Sequence, residues 1–232
     1  MLAALSATAA SAEERGLASG PVDRGTEYEI SAAGRPIGTY GVTLQGPDGN
    51  GRYQLRARFA IRLGGLLKTA DRLATDQVGY DGEGLRLYRI DEDAGGVRTT
   101  VKGERSADGR RLMLLLGTER KEVEWASFDL SLFGLRFPRP GAAGEVGRRT
   151  TLRLLAPRTG NVVSVHSVLA EFGPRRLGDR DVTVCVFITY DGGGTWLKES
   201  WLRSDGVMLY EKAAEYSLTL RREGPAALLA LH

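Results

Sequence analysis

From Arg52 to Leu63 the chain alternates. Tyr53, Leu55, Ala57, Phe59, Ile61 and Leu63 form an apolar row, and Arg52, Gln54, Arg56, Arg58 and Arg62 form a mostly cationic one. Successive side chains of an extended chain point to opposite sides, so this pattern predicts a strand with one face on a core and the other in water. Twelve residues at roughly 3.3 Å each would run about 40 Å, roughly twice an ordinary strand. Strands of that length belong to large, curved antiparallel sheets.

The same alternation recurs along the chain. Thr26 to Ala32, Ile37 to Leu44, the arginine strand, Leu66 to Tyr80, Leu85 to Asp91, Val97 to Arg105 and Arg111 to Leu116 read as strands. Glycine-rich turns separate them, among them Gly46 to Gly51, Gly64-Gly65, Asp81 to Gly84 and Ala107-Asp108-Gly109. Glycine, asparagine and aspartate accept the positive φ that tight hairpins require, so this half reads as a meander. After a break, Arg149 to Leu155, Asn161 to Phe172, Val182 to Tyr190, Thr195 to Arg203, Val207 to Ala213 and Tyr216 to Arg222 resume the pattern. Some of these later strands carry apolar groups on both faces, as Val184, Val186 and Ile188 do against Cys185 and Phe187.

The break has helical spacing. Phe128, Leu132 and Leu135 fall at i, i+4 and i+7, Ser127 can cap the start, and Gly134, Pro138 and Pro140 end it. Leu130 and Phe133 fill the other side, so the helix from Ser127 to Leu135 is expected to be buried, plugging the hollow of the sheet. The fold expected is mainly β, a large curved antiparallel sheet or half-barrel with one short buried helix. An all-β chain of this length is commonly one domain, here residues 26–222, with a flexible segment 13–25 before it and a tail 223–232 after it.

Glycine stands at 31 residues of 232, about 13% against the usual ~7%, which suits many strands joined by tight turns. Thirty-two lysines and arginines against 29 acids give a net charge of +3, too balanced to imply nucleic acid, although a local arginine row suits an anionic surface. Residues 1–12, MLAALSATAASA, are small, uncharged and end in Ala10-Ser11-Ala12, the A-x-A pattern signal peptidase cuts after. They read as the remnant of a signal peptide, with Glu13 as the mature amino terminus. No segment reaches the ~18 apolar residues of a membrane-spanning helix, so a soluble periplasmic protein is expected.

The order of elements over residues 26–222 resembles a group of uncharacterised bacterial exported families built on the curved half-barrel of the periplasmic lipoprotein carriers. Three stretches carry the resemblance. They are Tyr28-Glu29-Ile30 with Gly34-Arg35-Pro36-Ile37-Gly38, the run from Asp129 to Arg136 with Pro140-Gly141, and Trp201 to Gly206. The resemblance implies a hydrophobic-ligand or envelope role, since the carriers hold acyl chains between the sheet's inner face and a helical lid. This chain is expected to have one short helix where the carriers have several.

Candidate chemistry is sparse. His166 and Cys185 lie within strands and no third partner is suggested, so a Cys-His nucleophile is not expected. The lone cysteine, set in the apolar run Val182 to Tyr190, reads as a buried inert thiol. Asp76, Asp81, Glu83 and Asp91-Glu92-Asp93 fit no twelve-residue calcium loop and read as turn formers. Gly192-Gly193-Gly194 precedes a strand rather than the helix that a phosphate loop needs. No metal or cofactor is expected.

The arginine row, Arg52, Arg56, Arg58 and Arg62, could meet lipid headgroups or an acidic partner. Its ordinary alternative is a solvated face with Asp71 and Asp76 opposite on the next strand. Trp196 and Trp201, five apart, are expected on opposite faces. The function expected is non-enzymatic: an apolar, lipid-like ligand or an envelope partner held in the concave face, against Phe59, Ile61, Phe128, Leu132, Phe133, Trp201 and Tyr210. The alternative is a ligand-free structural or interaction module filled by its own side chains.

Overall fold

The computed structural model describes residues 22–46, 48–49, 53–64, 69–81, 84–94, 96–131, 146–204 and 206–225. In chain order its strands are β1 (Val22–Ala32), β2 (Arg35–Gly46), β3 (Tyr53–Gly64), β4 (Thr69–Asp81), β5 (Gly84–Ala94), β6 (Val97–Arg105), β7 (Arg111–Leu116) and β8 (Glu119–Glu124). There follow β9 (Leu130–Ser131), β10 (Arg149–Ala156), β11 (Asn161–Leu177), β12 (Arg180–Asp191), β13 (Trp196–Leu202), β14 (Met208–Ala213) and β15 (Ser217–Gly224). All fifteen belong to one sheet, ordered β8-β7-β6-β5-β4-β3-β2-β1-β15-β14-β13-β12-β11-β10-β9. Every pairing is antiparallel except that of β9 with β10.

This order requires curvature. Laid flat, fifteen strands at about 4.8 Å spacing would span roughly 67 Å. The two edge strands, β8 and β9, are however joined by residues 125–129 alone, which reach at most about 20 Å. The sheet therefore curls until its edges approach, without closing through backbone hydrogen bonds. The main apolar cluster says the same. Leu55 of β3, Leu114 of β7, Leu155 of β10, Leu202 of β13 and Leu218 of β15 all belong to it, so strands far apart in the sheet meet across its concave side. A second cluster, Val184, Val186, Val207 and Leu209 with Trp201 and Leu177 beside it, packs on the opposite face of β12 and β13.

The predicted strands are present, most of them a residue or more longer. Two were not foreseen. In β8, Glu-Arg-Lys-Glu-Val-Glu, only Val123 is buried, and such a charged edge strand protects an open sheet from pairing with another chain. The short β9 replaces the start of the predicted helix. Residues Trp125–Ser127 form a single 3-10 turn, Phe128 is extended at φ −131° and ψ 152°, and Leu130–Ser131 pair with Leu154–Leu155. An extended pairing with a sheet edge wins over helical spacing here, because the sheet offers Leu130 hydrogen-bond partners that an isolated turn of helix lacks. Leu132 to Leu135 lie outside the described residues.

β-bulges redirect side chains in the second half. The register shifts at Thr189/Tyr190, leaving Trp196 opposite Tyr190 and Trp201 opposite Val186. Tyr190 and Val186 share a face of β12, so both tryptophans lie on one face, not on opposite ones as their spacing predicts.

Candidate functional site

The concave side divides the residues expected to form a ligand wall. Phe59 and Ile61 of β3 are half-buried against the main cluster, and Phe128 is buried within it. The Phe128 ring meets Trp125 edge-on at 5.3 Å. Leu132 and Phe133 lie outside the described residues. Trp201 and Tyr210 do not join the others. Alternation puts Leu202 and Ser200 of β13 on the concave side, so Trp201 points outward, and a bulge between Trp201 and Leu202 brings Tyr210 opposite it. Their rings stand 4.8 Å apart. The Trp201 indole donates to Glu199 Oε1 at 2.5 Å, and the Arg175 guanidinium lies 5.8 Å from its ring centre.

The concave side is crossed by the turn between β10 and β11. The buried Tyr88 hydroxyl donates to Pro157 O at 2.9 Å, and burial raises its pKa well above the ordinary phenol value, so it stays a donor. Lys121 Nζ of β8 donates to Thr159 O at 3.2 Å and Asn161 Oδ1 at 2.8 Å. Arg158 pairs with Glu92 of β5. Gly160, at φ +62°, sits where a Cβ would come within 2.4 Å of Leu114 Cδ1. One turn of the second half is thus fastened to β5, β7 and β8 of the first, in the role expected of the helix. Tyr88 reaches it by lying over Gly103, where a Cβ would stand 2.3 Å from the ring. Pro157 and Gly160 bracket this turn in the sequence, but nothing local marks its distant partners.

Polar groups on this side are matched to one another. Glu211, 6% exposed, accepts from Lys198 Nζ at 2.6 Å, Ser200 Oγ at 3.3 Å and Tyr216 Oη at 3.1 Å. Away from this group, His166 lies opposite Tyr190, on the outer face, with its Nδ1 2.9 Å from Thr151 Oγ1, while Cys185 lies opposite Phe172. Tyr190 and Cys185 stand five positions apart on β12, about 16 Å, so thiol and imidazole do not meet. Burial pushes the thiol pKa up.

The acids near the turns act as fasteners. Asp91 accepts from Arg89 and Thr100, and Asp93 accepts from Arg98 and the Gly96 amide. Asp191 Oδ1 accepts the Thr195 amide at 2.7 Å, which holds its carboxyl below the usual range and ties the glycine turn. Among the described residues no group of three or more His, Cys, Asp or Glu could hold a metal ion. The Asp76, Asp81 and Glu83 side chains lie outside the described ones.

The arginine row faces away from the core. Arg52 and the Arg62 side chain lie outside the described residues, though register sets Asp71 opposite Arg62. Arg56 faces Thr43 and Gln77, and Arg58 faces Gly41 and Thr75. Asp76 falls opposite Ala57, one position off, so the acid expected against the arginines shares the alanine's face.

No family model and no curated protein matches the sequence. The fold is that of a beta-barrel-like protein. In particular, a crystal structure of a beta-barrel-like protein of the domain of unknown function DUF1849 from Brucella abortus superposes with a TM-score of 0.61. It covers 88% of this chain and 98% of that one at 12% identity, which establishes a shared fold. A DUF1089 family protein from Pseudomonas aeruginosa is more distant, at TM-score 0.42 and 13% identity over 73% of this chain and 87% of that one. Among the described residues no helix is long and apolar enough to cross a membrane.

Proposed function

We propose that this chain is an exported, non-enzymatic protein of the bacterial envelope that acts through its outer surface, its interior serving as its own core. One observation carries the reading. The concave side is occupied by Tyr28, Tyr40, Tyr88, Leu55, Leu112 and their neighbours, packed as one buried cluster and crossed by the 157–160 turn. Export is supported by the Ala10-Ser11-Ala12 site and predicts a mature chain beginning near Glu13.

A second reading, an apolar carrier, draws on Ile37, Phe59 and Ile61, which are only partly buried at one end of the cluster. Titration of a fluorescent acyl probe into delipidated, folded protein separates the two. The surface reading expects no saturable uptake. Saturable uptake that Phe59→Glu abolishes would overturn it in favour of the carrier.

A further inference from the structure

The outer face of β3–β8 carries a pattern that folding alone does not require. Cross-strand register aligns Arg56, Gln77, Arg89, Lys102, Leu115 and Arg120 in a single row from β3 to β8. At about 4.8 Å per strand the row runs roughly 24 Å and holds four cations. Arg89 and Lys102 stand directly opposite each other, an arrangement that costs stability in a sheet. Several cations elsewhere on the surface are paired, as in Arg111–Glu122, Arg221–Glu29 and Arg222–Glu27. Within the row only Arg89 has such a partner, Asp91. Among the described residues Arg56 bonds only Gln54, no acid pairs with Arg120 or the neighbouring Arg58, and Lys102 has only the field of Asp91, a carboxylate that Arg89 already holds. Of the other acids described on this face, Glu122 is taken by Arg111 and Asp93 by Arg98, which leaves Glu104 and, opposite Arg111 at the end of β8, Glu124.

The cations are interleaved with apolar side chains left in water. Leu115 lies in the row, between Lys102 and Arg120, and is 36% exposed, while Leu87 and Met113 flank Glu104 on the same face at 36% and 40%. A nucleic-acid groove would instead interleave cations with aromatic stacking platforms, and the row has none. Arginine and lysine beside exposed leucine and methionine suit a phospholipid surface, where phosphates meet the cations and the apolar tips enter the headgroup layer.

We infer that the outer face of β3–β8 docks on an anionic phospholipid membrane. This rests on the surface reading above and supplies its partner. The test is flotation of the full chain with vesicles of phosphatidylcholine alone or mixed with phosphatidylglycerol. Binding is expected to the mixed vesicles only and to fall with added salt. Each cation removed should weaken partition about five-fold, so Arg56→Gln, Lys102→Gln and Arg120→Gln combined should lower it about a hundred-fold. Arg221→Gln, which removes the same charge from a paired position, should change it little. Leu115→Ser should weaken the binding that survives high salt. Circular dichroism confirms that the variants fold.

Equal partition onto neutral vesicles, no partition, or a triple variant that binds like the parent would each overturn the inference. So would binding to a soluble oligonucleotide without binding to vesicles, which would assign the row to a linear polyanion. Those failures leave the surface reading standing, whereas saturable acyl-probe uptake removes that reading itself.

Discussion

The strands β3–β8 and β11–β14 share one sheet but use their outer faces differently. In the first region Leu55, Tyr88 and Leu112 are buried inward while Arg56, Lys102 and Leu115 stand in water. In the second, apolar side chains are buried on both faces where β12, β13 and β14 meet, Leu202 and Met208 on one side and Val184, Val186 and Leu209 on the other. Bulges account for much of the difference. Register shifts at Leu169/Glu171, Thr189/Tyr190 and Trp201/Leu202 sharpen the local twist, and Trp201, Leu177 and Val182 pack beside the outward valines. A one-sided region is stabilised only from within and so depends on what crosses its interior. A two-sided region carries its own second core.

Outward substitutions break this comparison most directly. Trp201→Ala removes a large ring from the second cluster and should cost about 3 kcal/mol or more, a fall in Tm of roughly 6–12 °C for a chain of this size. Leu115→Ala, also outward but on β7, should stay within about 0.5 kcal/mol. Equal losses in thermal unfolding would show that the two regions do not differ in this way.

The next effect concerns the turn that braces the one-sided region. Gly103→Ala would drive a methyl group into the Tyr88 ring, 2.3 Å from the ideal Cβ, and should cost about 1–3 kcal/mol by overpacking. Tyr88→Phe keeps the ring but leaves Pro157 O without its donor, for a loss of about 1 kcal/mol. Amide exchange around Thr159 and Gly160 should quicken in both variants. Protection unchanged in both would mean that Tyr88 does not hold the turn.

The same contrast governs how much could be read from the sequence. The clean alternation of β3 announced its inner and outer faces, and Asp-Gly and Gly-Gly pairs placed most hairpins, because strand period and turn chemistry are local. Trp201 and Tyr210 were misplaced because β13 and β14 carry apolar and polar groups on both faces, where alternation gives no sign and a one-residue bulge decides the side. The expected helix failed for a related reason. Phe128, Leu132 and Leu135 satisfy helical spacing, but the edge of β10 lies within reach and pairs with Leu130–Ser131. Tyr88 over Gly103 and the Pro157 carbonyl is a contact across 69 positions, and the convex cationic row appears only once six strands are in register.

The smallest expected effect lies at the sheet's free edge, where an ion pair between Asp129 and Arg153 stands beside the β9–β10 pairing. Asp129 accepts from Arg153 Nη2 at 2.7 Å, Nε at 3.2 Å and the Arg153 amide at 2.9 Å, and its own amide donates to Arg153 O at 2.8 Å. Burial alone would raise the carboxyl's pKa, but the Arg153 hydrogen bonds and charge outweigh it and hold the group below the usual range. A carboxyl whose folded pKa is depressed stabilises the fold above its unfolded value, about 3.9, and loses that contribution as pH falls through the folded pKa. Asp129→Asn should therefore be less stable than the parent in urea near neutral pH, with the gap narrowing progressively below about pH 4. A gap that stays constant through that acid range would show that the ion pair contributes nothing and that backbone pairing alone secures the β9 edge.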